Sequence, residues 1–192
     1  MRLLLGSLFA LAVAAIVGLG ATYLALTRGA AFDALLIASW SAWPKTGTLD
    51  AEPYARPTIA RTGQLPIALG DGVSFTSQTD DNGKFLDGRC DVILSGITPA
   101  ARFWTLTLYN VAGGLVANSV NRYGFTSQEI VRRADGSFDI AVGPRANPGN
   151  WLPTGGVERY ALVLRFYDTA VGVSTKAGRE IPMPAIDTRR CP

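Results

Sequence analysis

The chain has 192 residues, 48% of them hydrophobic, and its 18 Lys and Arg against 15 Asp and Glu give a formal charge of +3. It contains no histidine and two cysteines, which excludes Ser-His-Asp and Cys-His catalysis and the usual His-based zinc site. Arg2 and Arg28 flank the first apolar segment, so the rest of the chain is nearly neutral, and its longest basic clusters are the pairs Arg132-Arg133 and Arg189-Arg190; nucleic-acid binding needs a strong basic excess on one face and is not expected.

Residues 3 to 26 carry no charge. At about 1.5 Å per residue that run spans a bilayer core of roughly 30 Å, which predicts a single transmembrane helix and makes the lipid bilayer the first partner. It is longer than a signal-peptide core and no A-x-A site follows it, so residues 1–28 read as an uncleaved signal-anchor. The short leader, the long trailing domain and the cysteines favour a cytoplasmic N-terminus and a periplasmic C-terminal domain at a bacterial inner membrane. Ala14, Gly18 and Thr22, spaced four apart, fit either a paired anchor or an ordinary Ala- and Gly-rich span.

Residues 29–52 read as a juxtamembrane segment and connector. Trp40 and Trp43 suit headgroup depth, or else a helix packed on the domain, and Pro44 ends the segment. A short helix over 53–62 starts at Pro53, with Pro57 opposing its continuation. From there to residue 192 the pattern predicts one β domain. The segments 72–79, 90–96, 102–110, 115–119, 137–143 and 159–167 are short and rich in β-branched and aromatic residues. Turn signals separate them, at Asp81-Asn82-Gly83, Ala112-Gly113-Gly114, Asp135-Gly136 and Pro148-Gly149-Asn150. Alternation puts Trp104, Leu106 and Leu108 on one face, Phe138, Ile140 and Val142 on another, and Tyr160, Leu162, Leu164 and Phe166 on a third. The strand over 159–167 is apolar on both faces and reads as central. The architecture that fits is a mainly β, antiparallel two-sheet sandwich.

Cys191 lies in the polar tail DTRRCP, where no core is expected. An even cysteine count in an exported domain predicts a Cys90–Cys191 disulfide. Asp80, Asp81, Asp87 and Asp91 form an acidic stretch that raises a calcium loop or a glycosidase carboxylate pair, but Lys84 and Arg89 interrupt it, and a hairpin with solvated acids fits better. No metal site is expected. Glu129, Asp135 and Asp139 read as scattered surface acids, and Ser174-Thr175-Lys176 lacks S-x-x-K spacing.

The segments FWTLTLYNVAGGLVANSVNRYGF (103–125), RADGSFDIAVG (133–143), NWLPTGG (150–156) and YALVLRFYD (160–168) resemble the bacterial family known as domain of unknown function 1214. PYARPTIARTGQLPIALGDG (53–72) and DDNGKFLDGRCDVILSG (80–96) resemble its short, membrane-anchored members. The resemblance spans about residues 53–191. It implies a jelly-roll-like β-sandwich and carries no established activity and no cofactor.

Asn121, Arg122, Tyr123, Asn150, Trp151, Arg165 and Tyr167 occupy the motif positions of the resembled family. They also combine planar donors with aromatic rings, a combination that lines sugar, carboxylate or phosphate sites. Each has a structural alternative: Asn150 in its turn, Trp151 plugging the sandwich end, Arg165 bonded to the 121–123 and 148–153 loops. Two functions remain open: an envelope module that binds a protein, glycan or lipid, or an enzyme on a carbohydrate or lipid-like substrate that uses Asp and Glu carboxylates with Arg support.

Overall fold

A computed structural model describes residues 2–28, 34–51, 56, 66–171 and 181–192. The expected helix over 53–62 (Arg56 apart) and the Ser174-Thr175-Lys176 loop lie outside the described residues.

The uncharged run forms helix α1, Arg2–Arg28. Its stretch Arg2–Leu24 is long and apolar enough to cross a membrane, and none of it is buried against protein. Its hydroxyls turn inward: Ser7 Oγ donates to the Leu3 carbonyl at 2.7 Å and Thr22 Oγ1 to that of Gly18 at 2.8 Å. Such back-bonding leaves these groups satisfied where no water is at hand.

Among the described residues ten strands follow: β1 (Leu35–Ile37), β2 (Trp40–Ala42), β3 (Gly72–Ser77), β4 (Asp91–Gly96), β5 (Phe103–Asn110), β6 (Gly124–Thr126), β7 (Phe138–Gly143), β8 (Trp151–Pro153), β9 (Tyr160–Tyr167) and β10 (Ala185–Arg190). They make a six-stranded sheet in the order β1-β2-β3-β9-β5-β6 and a four-stranded sheet in the order β10-β4-β7-β8. All pairings are antiparallel except β7 with β8, which is parallel, so the second sheet is mixed. Strand β9 is central, as expected, with β3 on one side and β5 on the other.

The anticipated faces meet in one core. Trp104, Leu106 and Leu108 from β5 and Phe138, Ile140 and Val142 from β7 are at most 2% exposed, and Leu162, Leu164 and Phe166 of β9 join them. Trp104 of one sheet packs on Phe138 of the other at 5.4 Å between ring centroids. Residues 115–119 are not a strand. Only a single bridge, Leu115 to Tyr109, survives there, and the rest is loop.

The connector expectation needs correction. Residues 35–42 are a β-hairpin on the edge of the six-stranded sheet, paired to β3 through Ser41 and Ala42. Trp40 is fully buried, and its indole Nε1 donates to the Pro184 carbonyl at 2.8 Å. It is a core residue and sits at no membrane surface; Trp43, just beyond the strand, is half-buried. The strand-rich unit therefore begins at Leu35, not at residue 53. Three-residue strands are too short for alternation to reveal them.

The chain closes on itself at its C-terminus. Cys90 and Cys191 form a disulfide with their Cα atoms 4.2 Å apart, across 101 residues of sequence. β10 is the edge strand it secures, and the edge is further covered by the 80–84 turn: Asp81 N–H donates to the Ile186 carbonyl at 3.0 Å, and Ile186 N–H to Asp81 Oδ2 at 3.1 Å.

Candidate functional site

The seven expected site residues divide between two places. Asn121, Arg122, Tyr123, Asn150 and Trp151 cluster where the loops after β5 and before β8 meet. Gly124 opens β6 against β5, where a Cβ would run into the Leu106 carbonyl. Asn121 adopts the left-handed conformation, with φ of 51°, which Asn tolerates better than most residues. The turn is held by Asn118: its Oδ1 accepts from Arg122 N–H at 3.0 Å, and its Nδ2 donates to the Arg122 carbonyl at 2.9 Å. Asn118 was not singled out from sequence; Asn is a common turn residue because its side chain bonds nearby backbone, usually two residues on, whereas here it reaches four. Arg122 Nη1 donates to the Trp151 carbonyl at 2.9 Å, and its guanidinium lies 5.4 Å from the Phe125 ring centre.

Asn150 is a clamp. Its Oδ1 accepts from Val131 N–H at 2.8 Å, while its Nδ2 donates to the carbonyls of Val131, at 2.9 Å, and Asp139, at 2.8 Å. Trp151 Nε1 donates to the Gly143 carbonyl at 3.1 Å. Tyr123 contributes its carbonyl to Leu108 N–H at 3.0 Å. These polar groups join loops and strands of this chain.

Arg165 and Tyr167 lie elsewhere, on the outer face of β9. Arg165 does not reach the 121–123 and 148–153 loops, because inward-facing Leu164 and Phe166 set its side chain on the opposite side of the sheet. It is half-buried between Ser74 of β3 and Thr105 of β5, its register partners. Its Nη1 donates to Tyr109 Oη at 3.3 Å, and its guanidinium sits 5.5 Å from the Tyr109 ring centre. Tyr167 packs on Phe103, ring centres 6.0 Å apart. Among the described residues no carboxylate pairs with Arg165.

The acids of 80–91 serve separate partners. Asp80, 2% exposed, accepts from the backbone N–H groups of Asn82 and Lys84. Burial pushes its carboxyl up, but the Thr188 hydroxyl, those two N–H groups and the Lys84 charge together hold it below the ordinary carboxylate range. Asp81 accepts from the Ser39 hydroxyl at 2.7 Å. Asp87 is held down to about 2, chiefly by the Arg89 side chain and then by its backbone N–H. Asp91 takes both Arg145 and Arg190. Glu129 bonds Thr126, Asp135 bonds Ser137, and Asp139 pairs with Arg133. Among the described residues no group of three His, Cys, Asp or Glu is placed to hold a metal ion.

A family model described as "Protein of unknown function (DUF1214)" matches residues 71–171. The crystal structure of the VPA0106 protein from Vibrio parahaemolyticus is similar at a TM-score of 0.57 and 23% identity, covering 73% of this chain and 36% of that one. A putative uncharacterised protein from Burkholderia cenocepacia aligns at a TM-score of 0.42 and 13% identity over 67% of this chain and 33% of its own. The chain thus spans about a third of the length of these solved structures, and the first of them supports the fold. No curated protein matches the chain.

Proposed function

The chain belongs to the DUF1214 family, and from that premise we propose that it is a membrane-anchored envelope module whose β-sandwich binds a partner or ligand rather than transforming one. The observation that carries this reading is the pairing of α1 with the Cys90–Cys191 disulfide on one chain. Structural disulfides persist in oxidising compartments, and a 23-residue apolar stretch at the N-terminus is what delivers and retains a domain there. In this reading residues 1–28 are a single-pass anchor with a cytoplasmic N-terminus, and the sandwich from Leu35 onward is periplasmic. Binding is favoured over catalysis by the acids, since the carboxylates of 80–91 and those of Glu129, Asp135 and Asp139 are engaged by arginines, hydroxyls or backbone N–H groups of the chain itself. Arg165, Tyr109 and Tyr167 offer the face for a ligand.

The test is topological. In intact spheroplasts, external protease digests the sandwich while a cytoplasmic marker survives, alkaline carbonate leaves the protein in the membrane pellet, and a thiol reagent labels Cys90 and Cys191 only after reduction. A sandwich protected from protease, or a mature soluble protein lacking α1, overturns the reading.

A further inference from the structure

Arg165 is a charge placed in the middle of the central strand of a sheet. Both flanking strands are hydrogen-bonded to β9 around it, so its position is fixed by register on each side, opposite Ser74 and Thr105. A half-buried guanidinium loses part of its hydration and normally recovers it through a carboxylate. Here a neutral phenol, Tyr109, takes one N–H at 3.3 Å, and none of the described carboxylates takes the others. The Tyr109 contact orients the group and leaves its charge uncompensated.

The surroundings are those of a sugar-binding surface. Alternation puts Ser74 and Thr76 of β3, Thr105 and Thr107 of β5, and Arg165 on the same half-buried outer face. Their hydroxyls serve as donors and acceptors alike, as polyol recognition requires. Tyr167 and Phe103, packed together, present aromatic surface beside Arg165 on which a pyranose ring can stack. A lipid tail would want an apolar groove; Ala161 and Val163 of β9 share this face but are only 7% and 6% exposed, which leaves its accessible part to hydroxyls, aromatic rings and Arg165.

We propose that the outer face of β3, β9 and β5 binds a carboxylated polysaccharide, with Arg165 pairing the uronate carboxylate, Tyr109 holding the guanidinium in place, and Tyr167 with Phe103 stacking the neighbouring ring. This rests on the binding-module reading and names its ligand class.

The full chain in detergent micelles is titrated calorimetrically with tetragalacturonate, with its methyl ester, and with dihexanoyl phosphatidylglycerol. The expected result is binding of tetragalacturonate at least tenfold tighter than either control, weakening as salt rises. Arg165→Gln lowers that affinity at least tenfold, and Tyr167→Ala weakens it several-fold, each with the melting temperature nearly kept. Ser74→Asp, which supplies an internal carboxylate across from Arg165, abolishes binding without removing the arginine. Equal binding of acid and ester, tighter binding of the lipid, no binding by folded wild-type protein, or undiminished binding in folded Arg165→Gln and Ser74→Asp would each overturn the proposal. None of these outcomes alters the protease and carbonate results, so the anchored-module reading stands or falls separately.

Discussion

Asn150 is 7% exposed and all three of its side-chain hydrogen bonds reach backbone groups of other segments. Asn150→Ala strands a donor and two acceptors, and a loss of about 2–4 kcal/mol is expected from urea midpoints. Asn150→Asp should cost at least as much at neutral pH, because a carboxylate would face two carbonyl oxygens. Tyr160 is the opposite case. Its hydroxyl is buried without a partner among the described residues, and burial first, then the Asp87 charge, push the phenol further up from its usual range. Tyr160→Phe should therefore be neutral or stabilising in the same assay. Asp87 and Asp80 both hold their protons less tightly folded than unfolded. Stability from a depressed carboxyl is complete above its unfolded value of about 4 and is lost as pH falls through the folded one. Urea midpoints should decline from about pH 4 down to about 2, the pKa of Asp87, and the decline should be shallower in Asp87→Asn.

Among the elements, long strands were legible and short ones were not. β5, β7 and β9 announced themselves by alternation because six to eight residues record both faces. β1, β2, β6 and β8 have three residues each and are held by neighbours and hydrogen bonds that no local pattern encodes. β10 reads as a polar tail, yet Ile186 is fully buried and the strand is secured by Cys191 and the Asp81 bonds. Site residues followed the same rule. The Asn150 turn was visible as a turn, whereas the separation of Arg165 from the 121–123 loop required knowing which side of β9 faces the core. Two expectations at this scale can be measured. A chain beginning at Ala34 should fold more stably than one beginning at Lys45, which lacks the buried Trp40, and the gap should be several kcal/mol by chemical denaturation. Replacing both cysteines by Ala should lower stability by about 2–5 kcal/mol, with hydrogen exchange accelerating first in β10.

At the scale of the whole molecule, the sheet order sets when the fold can close. The six-stranded sheet is two ribbons, β1-β2-β3 and β5-β6, joined through β9 alone. Among the described strands β9 comes ninth in chain order, long after β3 and β5, and the residue that locks the other sheet, Cys191, follows β10. Ribosomes deliver chains from the N-terminus, so until β9 emerges the edges of β3 and β5 have no strand between them, an arrangement prone to pairing with the wrong partner. Premature termination before Tyr160 would yield two unjoined ribbons rather than a smaller working domain, and quality-control proteases that recognise open edges would be its natural fate.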